Sequence, residues 1–171
     1  MKEKQERNVF NVGERVVYPG HGVAVIKSIE SKKVGKSEAH YYELRFVNKE
    51  VTVLVPVEKA NAVGIRSLCT VDHVALVYKI LSGPYIPAHC DAAIENWNKR
   101  SKKYMGKMRT GDLKELGIIY HYLQHVGKRK ELSFGEKLVL TQTENILVEE
   151  IALVENIAKE AVIERVRSLI K

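Results

Sequence analysis

Cysteine is nearly absent from this chain, and no part of it is apolar for long. Cys69 and Cys90 are the two cysteines among 171 residues. Two isolated thiols make no disulfide framework and suit a reducing cytoplasm. No run approaches the roughly 20 apolar residues that a membrane-crossing helix needs. Residues 1–8 are charged and lack the apolar core of a secretory signal, so a short disordered tail is expected there. A phosphate-cradling G-x-x-x-x-G-K-S/T loop is missing, as is any convincing set of nucleophile, base and orienting group. No enzyme and no cofactor are therefore expected. The histidines and cysteines invite a metal reading: Cys69 and His73 are four apart, His89 and Cys90 adjacent, and His121 and His125 share a helix face. Yet no paired C-x-x-C spacing exists, adjacent His89 and Cys90 cannot easily chelate together, and His121-Tyr122-Leu123-Gln124-His125 lacks the glutamate of an HExxH site. These side chains read as core or surface, and a metal hydrolase is the weakest of the functional readings.

What the chain does have is enough apolar sequence for a core and an excess of positive charge. Hydrophobic residues make up 45% and the net charge is +7. The charge is unevenly placed: residues 94–130 carry a net +7 by themselves, whereas residues 131–171 carry −3. A single-sign concentration of this kind is the footprint of an anionic partner.

The patterning changes once. Residues 10–67 read as about five short strands: Arg15–Tyr18, the apolar run from Val23, then Tyr41–Val47, then Val51–Val55. Tyr42, Leu44 and Phe46 alternate with Glu43 and Arg45. Pro19-Gly20-His21-Gly22 and Asn48-Lys49 are turns, Glu30 to Glu38 a hairpin connection, and Pro56 ends the fourth strand. So few residues in so many strands imply a small, bent sheet or barrel with strand edges left open to another protein. From Thr70 the period becomes helical. Val71, Val74, Ala75, Val77, Tyr78 and Leu81 face one way under a Thr70 cap. Gly83, Pro84 and Pro87 mark a linker. Helices follow over roughly 92–107 and from Asp112 to about His125. Another runs from the Ser133-Phe134-Gly135-Glu136 capping box through Leu138–Val154, and the last ends near Ile170. The expected organisation is a tail (1–8), a β domain (9–68), a connecting helix and linker (69–91) and a helical domain (92–171). The fold class is α+β.

The stretch with most chemistry is Asn96-Trp97-Asn98-Lys99-Arg100-Ser101-Lys102-Lys103-Tyr104. Its cations can neutralise phosphates, and an adjacent indole can wedge or stack where a duplex is open or kinked. Ile94, Trp97, Ser101, Tyr104, Met105 and Met108 also share one helix face, where a tryptophan is more often core than ligand. Lys128, Arg129 and Lys130 either extend the phosphate-binding surface or complement a helix C-terminus.

Taken together, these blocks resemble the CarD/CdnL family of bacterial transcription regulators. The resemblance rests on Phe10-Asn11-Val12-Gly13-Glu14-Arg15-Val16-Val17-Tyr18-Pro19-Gly20-His21-Gly22, Val51-Thr52-Val53-Leu54-Val55-Pro56 and Asn61-Ala62-Val63-Gly64-Ile65-Arg66. Asn96-Trp97 with its basic run and Leu132-Ser133-Phe134-Gly135-Glu136-Lys137 complete it. The first block also resembles a domain of the transcription-repair coupling factor, but nothing here is long enough for that helicase. The resemblance implies a Tudor-like domain that binds the RNA polymerase β subunit, and helices that bind promoter DNA at the upstream edge of the bubble. There the family's tryptophan wedges into the minor groove and stabilises the open complex. It puts Trp97 at the wedge and Lys99, Arg100 and Lys102 along the phosphate backbone, to which the basic run adds Lys103. It leads to Lys32 and the Val51–Val55 strand, with Val51, Val53, Leu54 and Val55, as the expected polymerase contact. Leu54 stands where some members have an arginine. The implied location is cytoplasmic and nucleoid-associated, with no membrane partner. The alternative is a free-standing architectural DNA-binding protein that makes no polymerase contact.

Overall fold

The computed structural model describes residues 9–34, 37–84 and 96–170. They form two compact units that divide between Leu68 and Cys69, and the class is α+β. In the first unit, β1 (Arg15–Tyr18), β2 (Gly22–Val34), β3 (Ser37–Phe46), β4 (Thr52–Pro56) and β5 (Arg66–Ser67) make one antiparallel sheet in the order β4-β3-β2-β1-β5. The turn between β1 and β2 requires positive φ at Gly20 and Gly22, as the glycine spacing predicts.

The alternation in β3 holds: Tyr42, Leu44 and Phe46 enter the core with Val16, Ile26 and Val55, while Arg45 faces out. A bulge between Ile26 and Ser28 sets Lys27 outside the ladder and bends β2. The segment Glu30–Glu38, expected as a connection, is instead mostly strand. β2 and β3 stay paired out to Val34 and Ser37. Cross-strand pairs such as Ser31 with His40, hydrogen-bonded at 2.8 Å, support the polar ribbon without any apolar face. Periodicity cannot detect such a ribbon, because none of residues 30–33 and 38–40 is buried. A 3-10 turn (Val57–Lys59) and the short α1 (Ala60–Val63) lead into β5.

The second unit holds α2 (Val71–Ser82), α3 (Trp97–Thr110), α4 (Leu113–Arg129), α5 (Phe134–Glu155) and α6 (Lys159–Leu169). The helix expected as a connector, α2, contributes Val74, Val77 and Leu81 to the same core as Leu116, Ile119, Tyr120 and Leu123 of α4. That core also takes Tyr104 and Met108 from α3, Val139, Leu147 and Ile151 from α5, and Val162 and Val166 from α6. Thr70 precedes α2 but makes no side-chain cap; its hydroxyl meets His73 Nδ1 at 2.7 Å. Gly111, at φ 67°, ends α3, and Asp112 caps α4 by accepting the Lys114 amide at 2.9 Å. α4 continues past His125 to Arg129, one turn further than the apolar spacing implies.

A polar tie runs across three helices. The Tyr120 hydroxyl donates to Glu144 at 2.7 Å, and Arg167 grips the same carboxylate with two bonds of 2.8 Å. The expected tail (1–8), most of the linker (85–93), the predicted first turn of the helix after it (92–95), and with them His89 and Cys90, lie outside the described residues. No helix among the described residues is long and apolar enough to cross a membrane.

Leu116 is fully buried at the centre of the helical core. Leu116→Ala should destabilise the protein by about 2–5 kcal/mol, read as a lower urea midpoint with an unchanged slope.

Candidate nucleic-acid interface

The site is built where the first turn of α3 meets the first turn of α5. Asn96 starts α3: its side-chain oxygen accepts the amides of Asn98 at 2.9 Å and Lys99 at 3.4 Å. The cap puts Trp97 on the first helical residue. The first turn of α3 holds no acidic side chain but includes Lys99. Cations there oppose the positive end of the helix dipole, at a cost of about 0.3–1 kcal/mol each. Helix stability therefore does not account for Lys99.

α5 begins with the capping box that S-x-x-E spacing predicts. The Ser133 hydroxyl accepts the Glu136 amide at 3.3 Å, and Glu136 Oε2 accepts the Ser133 amide and hydroxyl, both at 2.9 Å. The second carboxylate oxygen turns to α3. Glu136 Oε1 lies 3.3 Å from Arg100 Nη2 and 3.9 Å from Lys130 Nζ. Glu136 is 2% exposed. Burial pushes its carboxyl up, but the Ser133 amide and hydroxyl with Lys130 and Arg100 outweigh this and hold it below the usual glutamate value.

Trp97 is half-buried on the edge of the helical core. The indole lies against Gly135 so closely that a Cβ there would fall 2.8 Å from Cε2, and nearer still to Cζ2. On the same helix, Arg100 holds its guanidinium carbon 5.9 Å from the indole centroid. Lys99, Lys102 and Lys103 are exposed along α3.

The expected DNA set is thus brought together on one helix, with one difference among its members. The Arg100 side chain, 14% exposed, is turned inward to Glu136, whereas the three lysines face solvent. Met105, placed by spacing on the buried stripe, is 43% exposed, and Ile94 lies outside the described residues. Phe134 is 84% exposed at the start of α5, next to the glycine that supports Trp97. Sequence reasoning took Phe134 only as filler in the capping box. The available signal was its partner four residues on: Leu138, also exposed, puts both side chains on the outer face of α5. Of the Lys128–Lys130 cluster, Lys128 donates to the Ile170 carbonyl at 2.8 Å and ties down the end of α6.

In the first unit the expected polymerase set is spread over two places. β4 is an edge strand, paired with β3 alone among the described residues. On it Leu54 is exposed, Val53 half-buried and Val55 in the core. Val51, also exposed, lies just before the strand. The outer face beside β4 carries a polar hollow lined by Lys27, Glu43, Arg45, Glu50 and Thr52. Lys32 is not on that strand. It sits on the β2–β3 ribbon opposite Ala39, with Glu30 at 3.3 Å.

Comparison with known proteins agrees with this division. Residues 10–69 match the CarD-like/TRCF RID domain, a polymerase-interacting class, and residues 77–167 match the CarD C-terminal domain. The chain belongs to the CarD family. It is also 26% identical over 154 residues to the Bacillus subtilis (strain 168) protein named "Putative transcription factor YdeB", covering 90% of this chain and 97% of that one. A transcription regulator is the function class these matches support. The CarD C-terminal match begins inside α2, in agreement with the packing of that helix on α4.

The lowered Glu136 value fixes the sign of one pH effect. Its contribution to stability is complete above the ordinary glutamate value of about 4.3 and is lost as pH falls through the lower folded-state value. Glu136→Gln should therefore lose less stability than the parent as pH falls below the ordinary glutamate value of about 4.3. Urea unfolding at stepped pH reads this directly.

Proposed function

We propose that this CarD-family protein stabilises the promoter open complex, holding the RNA polymerase β subunit with its β unit and DNA at the upstream edge of the bubble with α3. The observation that carries the reading is a half-exposed indole on a helix whose first turn holds lysine and no acid, with three exposed lysines in line. An aromatic wedge pays for unstacking a base step with a bent duplex that meets more protein surface. Trp97 takes that role. Lys99, Lys102 and Lys103 track the phosphates, and Phe134 and Met105 widen the apolar contact. The backbone of the β4 edge receives the polymerase, with Leu54 and Val51 as side-chain contacts and Lys32 as an outlying charge. Val55 contributes through its backbone, since its side chain is in the core.

The mechanism requires no chemistry. A ligand shifts an equilibrium only by its differential affinity for the two states, so the protein favours open over closed promoter to the extent that the wedge fits opened DNA alone. A difference of about 1.4 kcal/mol changes the balance tenfold. Binding to polymerase makes the DNA contact intramolecular, so weak sequence reading suffices. On this reading the protein works in the cytoplasm, at the nucleoid.

Two outcomes are expected. The lifetime of a promoter open complex on cognate polymerase, challenged with competitor DNA, should lengthen with the parent and not with Trp97→Ala. No effect of the parent would turn the reading toward a free-standing architectural DNA-binding protein. In DNA binding without polymerase, replacing Lys99, Lys102 and Lys103 with glutamine should flatten the slope of log affinity against log salt. The expected change is about 0.9 per lost phosphate contact.

A further inference from the structure

The geometry points to a clamp that sets the pose of Trp97 before DNA arrives, with Gly135 as its floor, Arg100 as its brace and Glu136 as its anchor. This rests on the wedge reading above and adds to it. Arg100 becomes a positioning residue, not a phosphate ligand.

Three observations carry the inference. Gly135 sits in the second position of α5, where alanine is a better helix former and no positive φ demands glycine. What the position does demand is space. A Cβ would overlap the indole, and the overlapped atoms belong to Trp97 and not to backbone. The helix therefore accommodates a larger residue only by moving the tryptophan. Second, the Arg100 guanidinium is near both the indole and Glu136 Oε1, with its side chain largely covered. A cation committed to a buried carboxylate is poorly placed to neutralise phosphate, whereas Lys99 and Lys102 are exposed. Third, Glu136 is itself immobilised, because its other oxygen closes the capping box on Ser133. The brace is thus fixed to the start of a 22-residue helix.

The benefit is preorganisation. A side chain ordered only on binding forfeits a roughly two- to tenfold factor in affinity, which a preset side chain keeps.

Trp97 is the sole tryptophan, so fluorescence excited at wavelengths where tyrosine does not absorb reports its pose alone, with neither polymerase nor DNA present. The experiment compares the full-length parent with Gly135→Ala, Arg100→Gln, Arg100→Lys and Lys99→Gln. Far-UV circular dichroism checks the fold of each. Gly135→Ala and Arg100→Gln are expected to shift the emission to the red and raise acrylamide quenching, with partial return in Arg100→Lys. Lys99→Gln leaves both unchanged. The salt slope of duplex binding responds in the opposite way: it falls in Lys99→Gln and holds in Arg100→Gln. Open-complex lifetime drops roughly two- to tenfold in Gly135→Ala. Emission and quenching unmoved in both Gly135→Ala and Arg100→Gln would overturn the clamp. A salt slope that falls in Arg100→Gln with emission unmoved would make Arg100 a phosphate ligand. A pose that moves in Gly135→Ala with no loss of lifetime would refute presetting, and Trp97→Ala separates the cases. If that variant also keeps the lifetime, the wedge reading itself has failed.

Discussion

One carboxylate joins the two helices on which the proposed DNA site stands. Glu136 divides its oxygens between the cap of its own helix and the arginine of α3. A buried carboxylate is costly unless both oxygens are satisfied, and here each is occupied by a group that something else needs. The cap starts α5 at Phe134, which puts Gly135 where the indole rests. The arginine of α3 holds its guanidinium near that indole. Removing the carboxylate would take a charged partner from a largely covered guanidinium, and losing one member of a buried pair costs more than the pair contributes. The order of the basic patch therefore depends on an acid. Counting charge along the chain cannot reveal this, because it enters Glu136 only as a subtraction.

Much of the architecture was legible because it follows from periods and caps. Alternation in Tyr42–Phe46 identified a half-buried strand. Spacing in Leu113–Leu123 identified a core-facing helix, and Ser133 with Glu136 fixed the start of α5. Each is a local pattern with one physical solution. The paired ribbon of β2 and β3 beyond Glu30 was not legible, since a strand pair solvated on both sides leaves no apolar trace. Nor did the last turn of α4 show, because its surface residues fit a loop as well as a helix.

The site was legible in composition and less so in geometry. Residue types raised the cations after Trp97 as a candidate phosphate-binding run and left Trp97 open as core; only the family resemblance put it at the wedge. They could not distinguish Arg100 from Lys99, because that distinction depends on α5, 36 residues further along. Met105 and Phe134 were misjudged for a related reason. Helical spacing ranks positions around one axis, but which of two adjacent positions is covered depends on where the next helix crosses.

The edge strand carries a further implication for how the two halves respond to their surroundings. Leu54 and Val51 are exposed apolar side chains on and beside β4, with the exposed Thr52 between them. Main-chain pairing along a sheet edge is blind to sequence and little screened by ions, whereas lysine–phosphate contact weakens steeply as salt rises. If β4 is the dock, its grip persists at ionic strengths where α3 has let go. The protein would then ride on its partner with the DNA arm disengaged. Ionic conditions would govern when it acts, without deciding whether it is present.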